Sequence, residues 1–306
     1  MKQFISPYQF MLLIANFIFA ASLITLPQVL TQISDQNAWI TPFIVLPIIV
    51  AIVLVGFGKG NKAQISQSPK EVTFTHHAYY FLIGIFLITI YIRDLRALVD
   101  FTSRALLQTT PIEVIAILIT IVLIYISSAG LEVIARITAI QFVVLGTVVI
   151  TLPLMLFNEI EPSNIMPIIG TDTVSDLSKS SFQLLPWMGE SVIFFFLLGN
   201  VAAKKGLRRA TIRGITIGLS LLFILIITSL AALGKNLVSK STYPNFIMIQ
   251  EINITDFLDR LDLIIVILWM PIILSKLALS LYCIHRAFFN RNGGETANIM
   301  ITHLGL

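Results

Sequence analysis

Long apolar runs separated by short polar stretches set the pattern of this chain. Windows of about 20 mostly apolar residues, the length a helix needs to cross a hydrocarbon core, fall at roughly 8–30, 38–58, 78–99, 111–128, 137–157, 182–203, 214–234 and 262–285. They predict an all-α integral membrane protein with about eight transmembrane helices. The first run, Phe10 to Pro27, exceeds the roughly 7 to 15 residues of a secretory signal's apolar core, and Lys2 is its only basic flank. It is therefore read as a retained span. Between Thr242 and Asp262 the rhythm changes: Ile254, Phe257, Leu258 and Leu261 recur at i, i+3, i+4 and i+7 among Asp256, Asp259 and Arg260. That spacing predicts a short interfacial helix. No Gly/Ser-rich linker or charge block divides the runs, so residues 1–306 are expected to form one multi-pass membrane domain.

Composition agrees with the pattern. The chain is 57% apolar and only 12% charged, with a mean hydropathy of +0.92, outside the range of ordinary soluble domains. The net charge of +4 does not point to nucleic acid, because the basic residues sit between apolar runs, where membrane topology explains them. With the N-terminus inside, one face collects twelve of the twenty Lys and Arg: Lys2, Lys59, Lys62, Lys70, Arg136, Lys204, Lys205, Arg208, Arg209, Arg213, Arg286 and Arg291. The other collects seven, and Lys276 lies inside the last run. Both termini are expected to be cytoplasmic. A lone cysteine, Cys283, allows no internal disulfide and no Cys/His cluster, and there is no GxSxG, HExxH or P-loop pattern. Neither enzyme chemistry nor a metal or other cofactor is indicated.

The candidate chemistry lies inside the spans. LLPWMGESVIFFF, Leu184 to Phe196, holds a proline, a glycine and a carboxylate at membrane depth. Pro186 lacks an N–H, Gly189 relaxes the backbone, and irregular backbone at that depth persists only beside a cavity or buried in protein. A broken helix is predicted there. Glu190 falls about 12 Å into its span, where an ionisable group marks a functional site or pairs with a neighbouring helix for packing. The first span offers small residues Ala20, Ala21 and Ser22 ahead of Thr25 and Pro27, and Pro27 leaves the carbonyl of Leu23 without its helical donor. This stretch is either a second interrupted helix or a close-packing surface. In the last span Trp269, Lys276 and Ser280 share a helical face. Lys276 can stand in for a coupling cation, pair with Glu190, or extend toward the inner interface. Arg93, Asp94 and Arg96, at the end of the third span, read as an external gate or a solvated ion cluster.

Six segments in order then carry a resemblance: ISPYQF at Ile5, ASLITLP at Ala21, QNAW at Gln36, GLEVIAR at Gly130, the Gly189-Glu190 pair, and TYP followed by DFLDRLD. From about residue 5 to 283 the chain resembles the B subunit of bacterial spore germinant receptors, the GerAB or spore permease family. The resemblance implies an amino acid permease-like fold, a five-plus-five inverted repeat of ten spans. It implies a subunit of the spore inner membrane, embedded in lipid beside an A-type membrane subunit and a C-type lipoprotein, that senses a small germinant such as an amino acid. Carried onto this chain, the ligand-binding residues would be Ala20, Ala21, Ser22, Trp187, Gly189, Glu190, Lys276 and Ser280. A germinant carboxylate would meet freed N–H groups, and its ammonium freed carbonyls or Glu190.

Two departures stand out. GFGKGNKAQISQSPKEVTF, between the second and third spans, is short for the family and lacks its Pro-Gly-Lys-Thr-Leu-type pattern, and after the eighth span the sequence ends in FNRNGGETANIMITHLGL. The expected fold therefore lacks the last two helices of the repeat. Three readings remain: a germinant-receptor subunit that triggers germination, a proton- or sodium-coupled amino acid transporter, and a truncated inactive family member.

Overall fold

The computed structural model describes residues 4–20, 23–63, 74–166, 173–202, 206–252 and 261–288. Among these the regular elements are helical, apart from one isolated bridge between Ile5 and Val201. The first predicted span is two helices, α1 (Pro7–Ala20) and α2 (Leu26–Ser34), followed by a 3-10 turn (Asp35–Ile40) and α3 (Thr41–Ala63). Next come α4 (Phe74–Phe101), which continues into a π-helical segment (Thr102–Leu106), α5 (Ile112–Ser128) and α6 (Leu131–Met155). The sixth span is α7 (Thr173–Gly189), a 3-10 turn (Glu190–Val192), the short α8 (Ile193–Leu197) and a second 3-10 turn (Leu198–Asn200). The remaining helices are α9 (Leu207–Lys240), α10 (Pro244–Gln250) and α11 (Leu261–Phe288). Among the described residues, three stretches are long and apolar enough to cross a membrane: Leu26–Val55, Leu131–Met155 and Leu207–Lys240.

Several helices begin well before their apolar windows. α6 starts at Leu131, so Arg136 lies on the helix and pairs with Glu132 at 2.5 Å rather than standing in a loop. α7 likewise takes in Lys179, and α9 takes in Arg208, Arg209 and Arg213. Polar turns extend a helix beyond the hydrocarbon because intrahelical hydrogen bonding does not require an apolar side chain. The interfacial helix expected around 254–261 falls largely outside the described residues, while α10 just before it had no counterpart in the sequence reading.

α1 forms the centre. From Leu12 to Ala20 every residue is buried, and α6, α9 and α11 pack around it. Its closest neighbour is α9, where Gly214 and Gly218 remove side chains from the contact. A Cβ built on Gly214 would sit 2.6 Å from the Met11 carbonyl, and one on Gly218 would sit 2.9 Å from that of Ala15. Small residues four apart let two helices approach to backbone contact, the usual way dispersion is gained where lipid removes the hydrophobic drive. α11 packs against α4, α5 and α6 as well as α1.

α9 is kinked at Gly234, whose φ of 72° and ψ of 159° leave the helical region. The loosened Ala231 carbonyl accepts the Glu161 N–H and the Asn164 side-chain amide, each at 3.0 Å. Outward faces are apolar, with Ile117, Leu118 and Ile121 of α5 and Ile140 and Leu154 of α6 exposed, as lipid contact requires.

Candidate functional site

Two helix interruptions flank the centre of the molecule. α7 runs straight through Pro186 and ends only at Gly189, so the expected break lies beyond the proline. Proline costs a helix one hydrogen bond and some crowding, and here the helix bears it. The change to a 3-10 turn begins at Glu190, where Ser191 Oγ donates to the Met188 carbonyl at 2.6 Å. In the first span α1 ends at Ala20 and α2 restarts at Leu26 with Pro27 in its first turn. The Leu23 carbonyl, deprived of its donor by Pro27, accepts the side-chain amide of Asn245 at 3.1 Å. Asn245 belongs to α10 and is fully buried. A third tie holds the exit of α8: Ile5 N donates to the Asn200 carbonyl at 2.9 Å, Ala202 N to that of Ile5 at 3.0 Å, and Arg286 to the Asn200 side chain.

Beside the second interruption lies a closed ring of four charges. Lys276 Nζ is 2.7 Å from Glu190 Oε2 and 2.7 Å from Asp94 Oδ2. Arg93 Nη2 is 2.5 Å from Glu190 Oε1 and 2.5 Å from Asp94 Oδ1. Each carboxylate thus bridges both cations, and the ring is neutral. Lys276, Glu190 and Asp94 are 2%, 1% and 8% exposed, whereas the Arg93 side chain is 40% exposed. Such a group survives burial only because every charge has a partner. Two aromatic rings cover it: Arg93 lies 4.1 Å from the centre of Trp187, and Lys276 Nζ 4.8 Å from that of Phe17. Cations gain from π faces most where water is excluded.

The sequence candidates divide accordingly. Glu190 and Lys276 meet directly and Trp187 is adjacent through Arg93. Ala20 is buried one turn beyond Phe17, at the end of α1. Gly189 borders open space, since a Cβ there would meet nothing within 4 Å. Ser280 is buried with its hydroxyl turned back on the Lys276 carbonyl at 3.0 Å. Ala21 and Ser22 lie outside the described residues. Arg93 and Asp94 were read as a gate or a solvated cluster at a helix end. The second alternative is corrected: α4 continues to Phe101, which sets both residues inside the helix, and they complete the ring while Arg96 remains exposed. Phe17 and Asn245 were also missed. Only the orphaned Leu23 carbonyl signalled Asn245, by requiring some donor.

Near one end of the bundle, outside the spans, the Tyr243 hydroxyl donates to Asp100 Oδ2 at 2.6 Å and Arg104 Nε to Asp100 Oδ1 at 2.8 Å. The Tyr243 hydroxyl, followed by Arg104, holds the Asp100 carboxyl below its ordinary range. Burial and that same carboxylate push the Tyr243 phenol up. Tyr243 immediately precedes α10, so this bond fastens the Asn245-bearing helix to the end of α4.

A family model described as "Spore germination protein", the spore permease family, matches residues 4–290. Curated relatives from Bacillus subtilis (strain 168) are similar over most of the chain. The protein YfkT is 28% identical over 283 residues, covering 91% of this chain and 78% of its own. Spore germination protein KB is 25% identical over 273 residues, covering 85% and 71%. Spore germination protein YndE is 23% identical over 293 residues, covering 91% and 78%.

Proposed function

The chain belongs to the spore permease family of spore germination proteins, and from that premise we propose that it is a germinant-receptor membrane subunit whose ligand is a small zwitterion, an amino acid being the simplest. The observation that carries this reading is the neutral ring of Arg93, Asp94, Glu190 and Lys276 beside the interrupted sixth span. A zwitterion brings one carboxylate and one ammonium at short separation. Its carboxylate takes Arg93, the most accessible ring member, together with freed N–H groups near Gly189, and its ammonium takes Glu190 or Asp94. Two internal pairs are thereby exchanged for two ligand pairs, and no charge is left buried alone. A ligand of single charge leaves one member unmatched and is disfavoured.

Opening the ring changes what α4, α11 and the turn after α7 hold in common, since each contributes at least one of its charges. In this proposal the rearrangement passes to an A-type membrane subunit and a C-type lipoprotein in the spore inner membrane, with both termini of this chain on the cytoplasmic side. Ala20, Trp187, Gly189 and Ser280 line or shape the pocket around the charges. Proton-coupled transport is a second reading, favoured by one feature: Glu190 is a fully buried carboxylate whose partner can be released to a substrate.

The test is a thermal-shift screen of the purified protein against single amino acids, with their decarboxylated amines and deaminated acids as controls, because a ligand of the native state raises apparent stability. The expected result is a rise with one or a few amino acids, absent for the singly charged controls and absent in Glu190→Gln. A shift of equal size with the amine or the acid alone overturns the zwitterion reading. Gradient-driven uptake by the protein reconstituted in vesicles favours transport over sensing.

A further inference from the structure

The segment that carries Glu190 is fastened to α11 at both of its ends. Glu190 meets Lys276 at 2.7 Å, and Arg286 donates to the side-chain carbonyl of Asn200. Glu190 and Asn200 are ten residues apart, and so are Lys276 and Arg286. Ten residues rise about 15 Å along α11. The turn, α8 and second turn between Glu190 and Asn200 can span about 15–20 Å, because 3-10 residues rise further than α-helical ones. The two lengths match, so both ties close at once, and α8 packs against α11 between them. Packing next to the tied residues is slack: a Cβ on Gly189 or Gly199, which precede Glu190 and Asn200, would meet nothing within 4 Å. α8 itself has five residues, too few to hold a shape without tertiary contacts. Its middle is seated on α1, where Phe194 stacks edge-on against Phe10 and Phe17 at 5.7 and 5.4 Å. A short piece seated at its middle rocks unless both ends are tied, and displacing one end moves the other. Asn200 directs its two carbonyls to different elements: the main-chain oxygen accepts the Ile5 N–H at 2.9 Å and the side-chain oxygen accepts Arg286. Of these two bonds, the second refers the segment to the helix that bears Lys276.

We infer that Arg286 is a positioning residue for the charged ring: through Asn200 it holds the segment where the Glu190 carboxylate reaches both Lys276 and Arg93. A basic residue near a helix C-terminus also favours the macrodipole. An arginine serving that end alone would leave the turn at Glu190 indifferent to its loss. The role concerns the geometry of the ring and stands whichever solute, if any, the ring binds.

Hydrogen–deuterium exchange of the full chain in detergent micelles, resolved by residue, tests this. Three amides report: Ile193, whose N–H closes the turn on the Glu190 carbonyl; Ala202, which donates to the Ile5 carbonyl; and Glu161, bonded to the Ala231 carbonyl elsewhere in the molecule. Asn200→Ala removes the side-chain acceptor without changing any charge. Exchange at Ile193 and Ala202 is expected to quicken about tenfold, the effect of losing one hydrogen bond of ordinary strength, with Glu161 unchanged. Quickening confined to Ala202 overturns the positioning role, and so does equal quickening at all three amides, which is general loss of stability. Arg286→Gln is expected to reproduce this pattern and Arg286→Lys to restore protection at Ile193, since a single acceptor oxygen needs one donor and not a fork. Protection at Ile193 that survives Arg286→Gln, or that is lost equally in Arg286→Lys, overturns the assignment. Thermal unfolding gives an independent measure: Glu190→Gln weakens the hold of Lys276 on the segment, so Asn200→Ala should then cost less than in the wild type. Equal cost in both backgrounds overturns the inference.

Discussion

Asn245 gives its side-chain amide to the carbonyl of Leu23, 222 residues earlier in the chain. The bond exists because of a third residue, Pro27, which denies that carbonyl its helical donor. Replacing Asn245 with Ala is expected to destabilise the protein by about 1–3 kcal/mol, the cost of a buried acceptor left unmet. Pro27→Ala restores an N–H at the right position, so the two substitutions should couple: Asn245→Ala should cost less in the Pro27→Ala background. Thermal unfolding of the four proteins in this cycle measures the coupling. Strict additivity would count against a shared carbonyl.

The charged ring should respond to single and paired neutralisation in opposite ways. Lys276→Met leaves Glu190 and Asp94 with Arg93 alone to balance two buried carboxylates, and is expected to cost about 3–5 kcal/mol. Adding Glu190→Gln leaves the Arg93–Asp94 pair intact, and stability should recover by more than half. Denaturation of both variants in the same detergent decides the matter. A double variant as unstable as the sum of its parts would show that the four groups do not act as one unit.

Glycine substitutions offer a contrast between closely packed and open positions. Gly218→Ala places a methyl group 2.9 Å from the Ala15 carbonyl, and should destabilise by about 1–3 kcal/mol through forced separation of α1 and α9. Gly189→Ala meets nothing within 4 Å and should fold normally. If that open space receives the ligand, Gly189→Ala lowers affinity in the amino acid screen while leaving the melting temperature of the free protein within about one degree.

The Asp100–Tyr243 bond predicts a pH dependence with a definite sign. The Asp100 carboxyl is held below its ordinary value, so its contribution is complete above the unfolded pKa of about 4 and is lost as pH falls through the lower, folded value. Tyr243 is raised, so its contribution is complete below an unfolded pKa of about 10 and is lost only as pH rises through the higher, folded value. Melting curves of the wild type and Tyr243→Phe should therefore differ most between these limits and converge as the pH falls below the lowered, folded value of Asp100. A constant difference down to strong acid would mean that Tyr243 stabilises by packing alone.

Much of this fold was legible because the rule that apolar residues face lipid acts locally. Run length alone located the stretches that became α3, α5 and α11. It misplaced the starts of α6, α7 and α9, whose first turns carry Glu132, Asp176 and Arg208 and look like loops to a hydropathy window. The Glu190–Lys276 pairing was open to inference, since two opposite charges at membrane depth have few alternatives. Asp94 was not, because its burial depends on how far α4 extends and on which helix faces it, and neither is encoded near Asp94. Pro186 misled in the other direction: proline weakens one backbone bond, but the turn at Glu190 is fixed by Ser191 and by packing against α1.

The contact of Gly214 and Gly218 with the α1 backbone bears on how the molecule can move. Two helices that touch main chain to main chain cannot slide by a residue or roll about their axes without separating, so α1 and α9 behave as a stator. Relative motion is left to the helices outside this contact. α4 and α11, which pack most closely on each other and are joined by the ring of charges to the turn after α7, are the rotor that such an arrangement permits.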